Sequence, residues 1–192
     1  MAQTQQAPAK QPGTTTWNID PAHSNAQFSV RHMMISNVKG EFTKVSGKVS
    51  LDPGKPETLS AEAAIDVATI NTREHDRDNH LKSPDFFDVE HYPAITFKSR
   101  RAEKTSDGLK VTGDLTIRGT TREVTLDVEG PTPPMKDPWG FTRVGASATT
   151  KINRKDFGLA WNQALETGGV LVGDDVKITV DVELIAQAED KK

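Results

Sequence analysis

Residues 57–99, ETLSAEAAIDVATINTREHDRDNHLKSPDFFDVEHYPAITFKS, carry the reading that decides the fold. Leu59, Ala61, Ala63, Ile65 and Val67 alternate with Ser60, Glu62, Ala64 and Asp66, the period of a half-buried strand. The pattern then stops. Asn71 offers a helix N-cap, with Glu74 placed three residues on as in a capping box. The helix so opened extends to about Lys82, and Ser83 caps a second short turn with Pro84 at its first position. Phe86 and Phe87 follow, and Tyr92-Pro93 leads into Ile95 and Phe97, where alternation resumes. A β protein interrupted once, by a charged helix that carries aromatic residues, predicts a barrel with a lid.

The same alternation recurs on both sides of this stretch. Ala26, Phe28 and Val30 share one face, and Gln27, Ser29 and Arg31 the other. Val38, Gly40 and Phe42 are even-numbered, whereas Val45, Gly47, Val49 and Leu51 are odd. The apolar face therefore switches near Thr43-Lys44, which predicts a bulge or sharp bend there. Asp52-Pro53-Gly54, Ser106-Asp107-Gly108 and Gly119-Thr120 read as turns. Between and beyond them run Leu109–Ile117, Val124–Val128, Val144–Ile152 and Val176–Leu184, each with one apolar and one polar side. About eight amphipathic strands joined by short turns predict an all-β, eight-stranded antiparallel up-and-down barrel, lipocalin-like, with one short helical insertion. Closure removes exposed edges. A two-sheet sandwich is the rival, and would show shorter strands and Greek-key crossovers.

Composition narrows the function. At 192 residues one domain is expected, and a formal net charge of −3 provides no basic footprint for nucleic acid. No apolar run is long enough to span a membrane as a helix. With no cysteine there is neither a disulfide framework nor thiolate chemistry. Only 34% of residues are hydrophobic, which fits a single sheet with one wet face. Residues 1–15, rich in Gln, Ala, Pro and Thr, read as a disordered tail, and 16–188 as the barrel domain. The start lacks the apolar core of a signal peptide, so the expected compartment is the cytoplasm, or the periplasm if a leader has been removed.

The inward positions are apolar and often small: Gly40, Gly47, Ala61, Ala63, Gly113, Ala146 and Ala148. Two readings follow. Small inward residues leave a dry cavity suited to a hydrocarbon, or they make room for large neighbours across the barrel. On the first reading, the lining residues are Phe28, Val30, Phe42, Ala61, Ala63, Ile65, Leu81, Phe86, Phe87, Ile95, Phe97, Leu115, Ile117, Leu126, Ala146, Ala148, Ile152, Phe157, Trp161, Ile178 and Val180. The Trp161–Leu171 stretch reads either as a flap over the mouth or as an ordinary hairpin loop packed on the rim.

Several motifs follow one another in order along the chain. They are His23-Ser24 with Phe28-Ser29-Val30-Arg31-His32-Met33, and Val38-Lys39-Gly40-Glu41-Phe42. Ile70-Asn71-Thr72 followed by Arg77-Asp78-Asn79-His80-Leu81-Lys82-Ser83 comes next, then Gly113-Asp114-Leu115-Thr116-Ile117-Arg118-Gly119, Arg154-Lys155-Asp156-Phe157-Gly158-Leu159 and Val172-Gly173-Asp174-Asp175-Val176. Together they resemble the YceI-like family, over residues 16–187. The resemblance implies a lipocalin-like barrel that binds a polyisoprenoid, an isoprenoid quinone or a similar long-chain lipid, with no catalytic residue and no cofactor beyond that lipid. The implied partners are the lipid itself and, transiently, a membrane or a lipid-handling enzyme. A homodimer through an exterior face is left open.

Other chemistry has weaker support in the sequence. His75, Asp76, Asp78 and His80 lie close together on the helix, but a metal would need further ligands from elsewhere. The expectation is that Arg77, Asp78 and His80 form a structural polar cluster holding the helix, with no metal. Arg31, Arg73, Arg77 or Arg154 could meet an anionic head group near a mouth, though each also suits a surface or structural ion pair. Alternatives from other classes are a heme or metal barrel enzyme ligated by His32, His80 or His91, and a filled structural barrel acting as a protein-interaction module.

Overall fold

The computed structural model describes residues 13–52 and 54–187. Its strands are β1 (Thr15–Ile19), β2 (Asn25–His32), β3 (Ser36–Phe42), β4 (Val45–Asp52), β5 (Lys55–Asp66), β6 (Ile70–Asn71), β7 (Ala94–Lys104), β8 (Leu109–Ile117), β9 (Thr120–Glu129), β10 (Met135–Lys136), β11 (Thr142–Asn153) and β12 (Val172–Ala186). One helix, α1 (His75–Lys82), and two 3-10 turns, Val67–Thr69 and Arg154–Phe157, complete the described elements.

The strands run β11-β9-β8-β7-β5-β4-β1-β12, and β12 pairs back to β11, so eight strands close a ring. Every pairing is antiparallel. Strand β12 serves two partners along its length. Leu184–Ala186 pairs with β1, and Val172–Asp181 with β2. Thus β1 and β2 are two halves of one barrel strand, split at residues 20–24. Their neighbours β3 and β4 form the next barrel strand, bent at Thr43-Lys44. This bend is where the apolar face changes parity, because each half must turn its own apolar side to the interior.

Two details differ from the sequence-based expectation. Thr15 belongs to β1, and Trp17 and Ile19 lie in the core at 2% and 7% exposure. Five residues beside a polar segment carry too short an alternation to register as a strand. Residues 1–12 of the expected tail, and the expected domain end at 188, fall outside the described residues. The N-cap of α1 is Glu74, whose carboxylate accepts from the amides of Asp76 and Arg77. Asn71 instead accepts from the Arg73 amide, closing a small turn before the helix. A Glu can reach over the first helical turn, so the helix begins later than the Ser/Asn rule suggests.

The glycines resolve one of the two readings of the small inward residues. A Cβ on Gly40 would lie 2.4 Å from Phe28 Cζ, and one on Gly113 would lie 2.7 Å from Phe97 Cζ. These glycines make room for aromatic rings across the sheet. Ala61, Ala63, Ala146 and Ala148 instead border open space.

Candidate functional site

That open space is a cavity of about 280 Å³ inside the barrel. Small-molecule sites typically occupy ~300–1,000 Å³, and a dry engineered cavity of ~150 Å³ holds benzene. Every residue expected in the lining borders the cavity except Trp161. Ala63, Phe97, Ala148, Ile178 and Val180 point inward and are only half-buried, because they border the cavity. The lining also includes Ile19, Val49, Leu51, Leu109, Val111 and Val172, which were absent from the expected set. Their parity signals were available: Leu109 and Val111 share the odd register of Leu115 and Ile117, and Val49 and Leu51 that of Val45.

Trp161 lies outside the lumen. Its ring meets His80 edge-on at 4.8 Å and Phe86 at 5.3 Å between centroids. It packs half-buried against the insertion and the edge of the core. The segment that follows it is a hairpin loop. Ala164 bridges Val170, the Leu171 amide donates to the Gln163 carbonyl, and Asn162 both donates to and accepts from the Val172 backbone.

The strand ends near residues 52–55, 104–109, 129–142 and 15/186 form one end of the barrel. Trp17, Leu51, Leu109, Val144 and Leu184 close it at 1–3% exposure. The other end is capped by parts that are not strands: α1 with the turn after it, the 154–157 turn and the 158–171 loop. Polar staples hold these parts. Arg154, 5% exposed, donates from Nε to Gly173 O at 2.8 Å, and from Nη1 to Leu159 O at 2.6 Å and Trp161 O at 2.8 Å. Its guanidinium faces Asp174 at 3.7 Å, and burial pulls its pKa down from the ordinary value. Arg154 also borders the cavity, and the donors named here are directed at backbone carbonyls. Arg118 links Pro84 O at 2.8 Å to Gly158 O at 3.1 Å, joining the two capping segments.

Arg77 and Asp78 converge on buried Thr72, 4% exposed. Asp78 Oδ1 accepts from the Thr72 amide at 2.8 Å and from its hydroxyl, while Arg77 donates from Nε to Thr72 Oγ1 and from Nη2 to Thr72 O, both at 2.8 Å. His80 is not part of that knot. It bonds Asp85 at 2.8 Å and stacks edge-on against Phe86. The cluster thus divides into two fastenings, and Thr72, a plain threonine with no distinguishing motif, is the hub of the first.

No histidine lines the cavity among the described residues. His80 faces Asp85, exposed His91 faces Asp88, which raises its pKa through their hydrogen bond, and His32 sits at the end of β2. A cofactor in the lumen would find no imidazole ligand there. Arg31 and Arg73 are exposed outside the lumen. Asp20, His23 and Glu183 bring ligand atoms within 4.8 Å of one another. Arg143 already donates to both Asp20 and Glu183, so a cation occupies the place a metal would take. The hydrogen bonds from His23 and Arg143 hold the Asp20 carboxyl down at about 2.

An eight-stranded barrel enclosing an apolar cavity, closed by strands at one end and by fastened segments at the other, defines the lipocalin-like class of ligand-enclosing proteins. The YceI-like domain profile matches residues 17–184, and the chain belongs to that family. A protein of the UPF0312 group from Staphylococcus aureus (strain N315) is 43% identical over 170 residues, spanning 88% of this chain and 96% of its own. Among solved structures, BcnA of Burkholderia cenocepacia superposes with a TM-score of 0.73 at 26% identity, over 86% of this chain and 98% of that one. The YceI protein of Campylobacter jejuni superposes at 0.67 with 34% identity, over 83% and 90%. A polyisoprenoid binding domain from Saccharophagus degradans shares the fold at 0.65 with 14% identity, over 90% and 99%.

Proposed function

We propose that this protein binds one long-chain apolar lipid, a polyisoprenoid, an isoprenoid quinone or a similar molecule, in the barrel lumen, and shields or carries it. The observation that carries this reading is that Ala61 and Ala63 on β5 and Ala146 and Ala148 on β11 face an apolar cavity of about 280 Å³. Each methylene moved from water into such a space contributes about 0.8 kcal/mol. A chain of several isoprene units therefore offsets association costs of about 4–15 kcal/mol. The fold shared with a polyisoprenoid binding domain supports the same ligand class. The reading is of a binding protein and assigns bond-making chemistry to no residue.

The test is organic extraction and mass spectrometry of protein purified from its native source. The expected result is a long-chain lipid in near-stoichiometric amount. Lipid-free extracts, together with failure to take up an added long-chain isoprenoid, would contradict it.

A further inference from the structure

We infer that the β2–β3 hairpin tip, together with the adjoining 169–171 loop, is a docking foot for the surface of an anionic lipid bilayer. The tip is Met33-Met34-Ile35, exposed at 41%, 63% and 76%. Met33 and Met34 both hold positive φ, 49° and 60°, a turn conformation ordinarily filled by Asn or Gly. Two large apolar side chains are thus held outward in an unfavourable backbone state.

The tip is joined to the loop beside it. The Met33 amide donates to Leu171 O at 2.8 Å, and a Cβ on Gly169 would fall 2.5 Å from Met34 Sδ. Val170, 41% exposed, extends the apolar surface. The foot adjoins strands that line the lumen. His32 pairs with Val172 and Val30 with Val176, and Val30, Val172 and Val176 line the cavity.

The charge pattern selects the occupant. On the outer face just behind the tip, Ser29 pairs with Lys39 on one side and Lys177 on the other, and Arg31 lies two residues nearer the tip. All three cations are exposed, and among the described residues none is ion-paired with a carboxylate. The nearby acids Asp174 and Asp175 are engaged by Lys155 and Lys151; Glu166 on the loop and Glu41, two residues behind Lys39 on the outer face of β3, are the acids that remain beside the three cations. Arg31 donates to Met34 O at 3.2 Å, placing its guanidinium at the base of the tip. Apolar residues that enter a bilayer, backed by cations at head-group depth, are the signature of interfacial binding to anionic membranes. A second exposed apolar group, Met135, Trp139 and Phe141, sits at the strand-closed end, where Asp137 and Arg143 fix the loop and Trp17 and Leu51 seal the barrel behind it.

The foot rests on the proposed lipid binding for its purpose, but docking is measured separately. Full-length protein is mixed with vesicles of equal parts phosphatidylglycerol and phosphatidylcholine, and with vesicles of phosphatidylcholine alone, then floated. The expected result is binding to the mixed vesicles that weakens with salt. Met34→Gln with Ile35→Gln should lower it by roughly tenfold, while the thermal midpoint and uptake of a fluorescent isoprenoid from solution stay as in the parent. Lys39→Glu with Lys177→Glu should abolish the preference for phosphatidylglycerol, and Trp139→Ser should change nothing. Failure of the parent to float with mixed vesicles would overturn the foot, as would undiminished binding by the Gln variant or loss of binding in Trp139→Ser. Failure of isoprenoid uptake alone would instead count against the lumen's function.

Discussion

The two ends of the barrel are closed by opposite means. At one end the strands do the work themselves: Trp17, Leu51, Val144 and Leu184 pack to 1–3% exposure. At the other, three segments outside the strands are brought over the opening and fastened by Arg154, Arg118 and the Thr72–Arg77–Asp78 knot. Apolar closure by paired strands cannot open without breaking the sheet. Fastenings made of hydrogen bonds to backbone carbonyls can exchange their partners for water at a modest net cost each. One end is therefore closed as a floor and the other as a fastened cover, and the account expects any opening to occur at the fastened end.

The sharpest way to break that contrast is to remove a fastening and a floor residue separately. Arg154→Ala should cost about 3–5 kcal/mol, because buried carbonyls lose a charged donor and Asp174 loses its counter-charge. Arg154→Lys should not restore it, since one ammonium cannot reach carbonyls spread as a guanidinium's fork reaches them. Leu51→Ala should cost about 3 kcal/mol through the cavity it leaves. Urea unfolding gives both values. The account distinguishes them by hydrogen exchange: Arg154→Ala should speed exchange at residues 158–173 far more than in β1 and β4, and Leu51→Ala should do the reverse.

A smaller effect sharpens the account of the fastened cover. Asp78→Ala should cost about 1–3 kcal/mol by stranding the amide and hydroxyl of Thr72. Removal of His80, which belongs to the separate Asp85 contact, should leave the Thr72 knot intact. A double-mutant cycle between Thr72→Val and Asp78→Ala should show strong coupling, and one between Thr72→Val and His80→Ala little.

Smaller still is the expected penalty for filling the lumen. In a packed core, an added ring costs about 1–3 kcal/mol. Ala63→Phe and Ala148→Phe place theirs in open space, and each should cost less than about 1 kcal/mol while reducing lipid uptake. Thermal melts and uptake assays read the two quantities.

A separate effect concerns pH. Asp20 is held at about 2 against an ordinary 3.8, so its contribution is complete above about pH 4 and fades as pH falls through 2. Asp20→Asn should flatten that limb of the acid-unfolding curve and leave neutral stability nearly unchanged in its pH slope.

The walls were legible in the sequence because period-2 alternation states which side chains point inward. The bend at Thr43-Lys44 showed itself the same way, as a change of parity. β1 was hidden because Thr15–Ile19 is too short to display a period. At Gly40 and Gly113 the sequence left both readings open, and the Phe28 and Phe97 rings beside them decide for the second. The fastenings were the least legible. Arg154 and Arg118 bind backbone carbonyls, which carry no residue identity, so nothing in the chain marks their partners. Trp161 reads either as a lumen residue or as packed on the rim, and its place against His80 and Phe86 depends on where the loop after the 154–157 turn meets α1.

The most direct test of the central claim is a crystal structure of the protein loaded with a long-chain isoprenoid that bears bromine near its chain end. The account predicts anomalous bromine signal inside the barrel, between Ala63 and Ala148, with the strand-closed end unchanged. Bromine confined to the exterior, or a lumen that stays empty under saturating ligand, would contradict it.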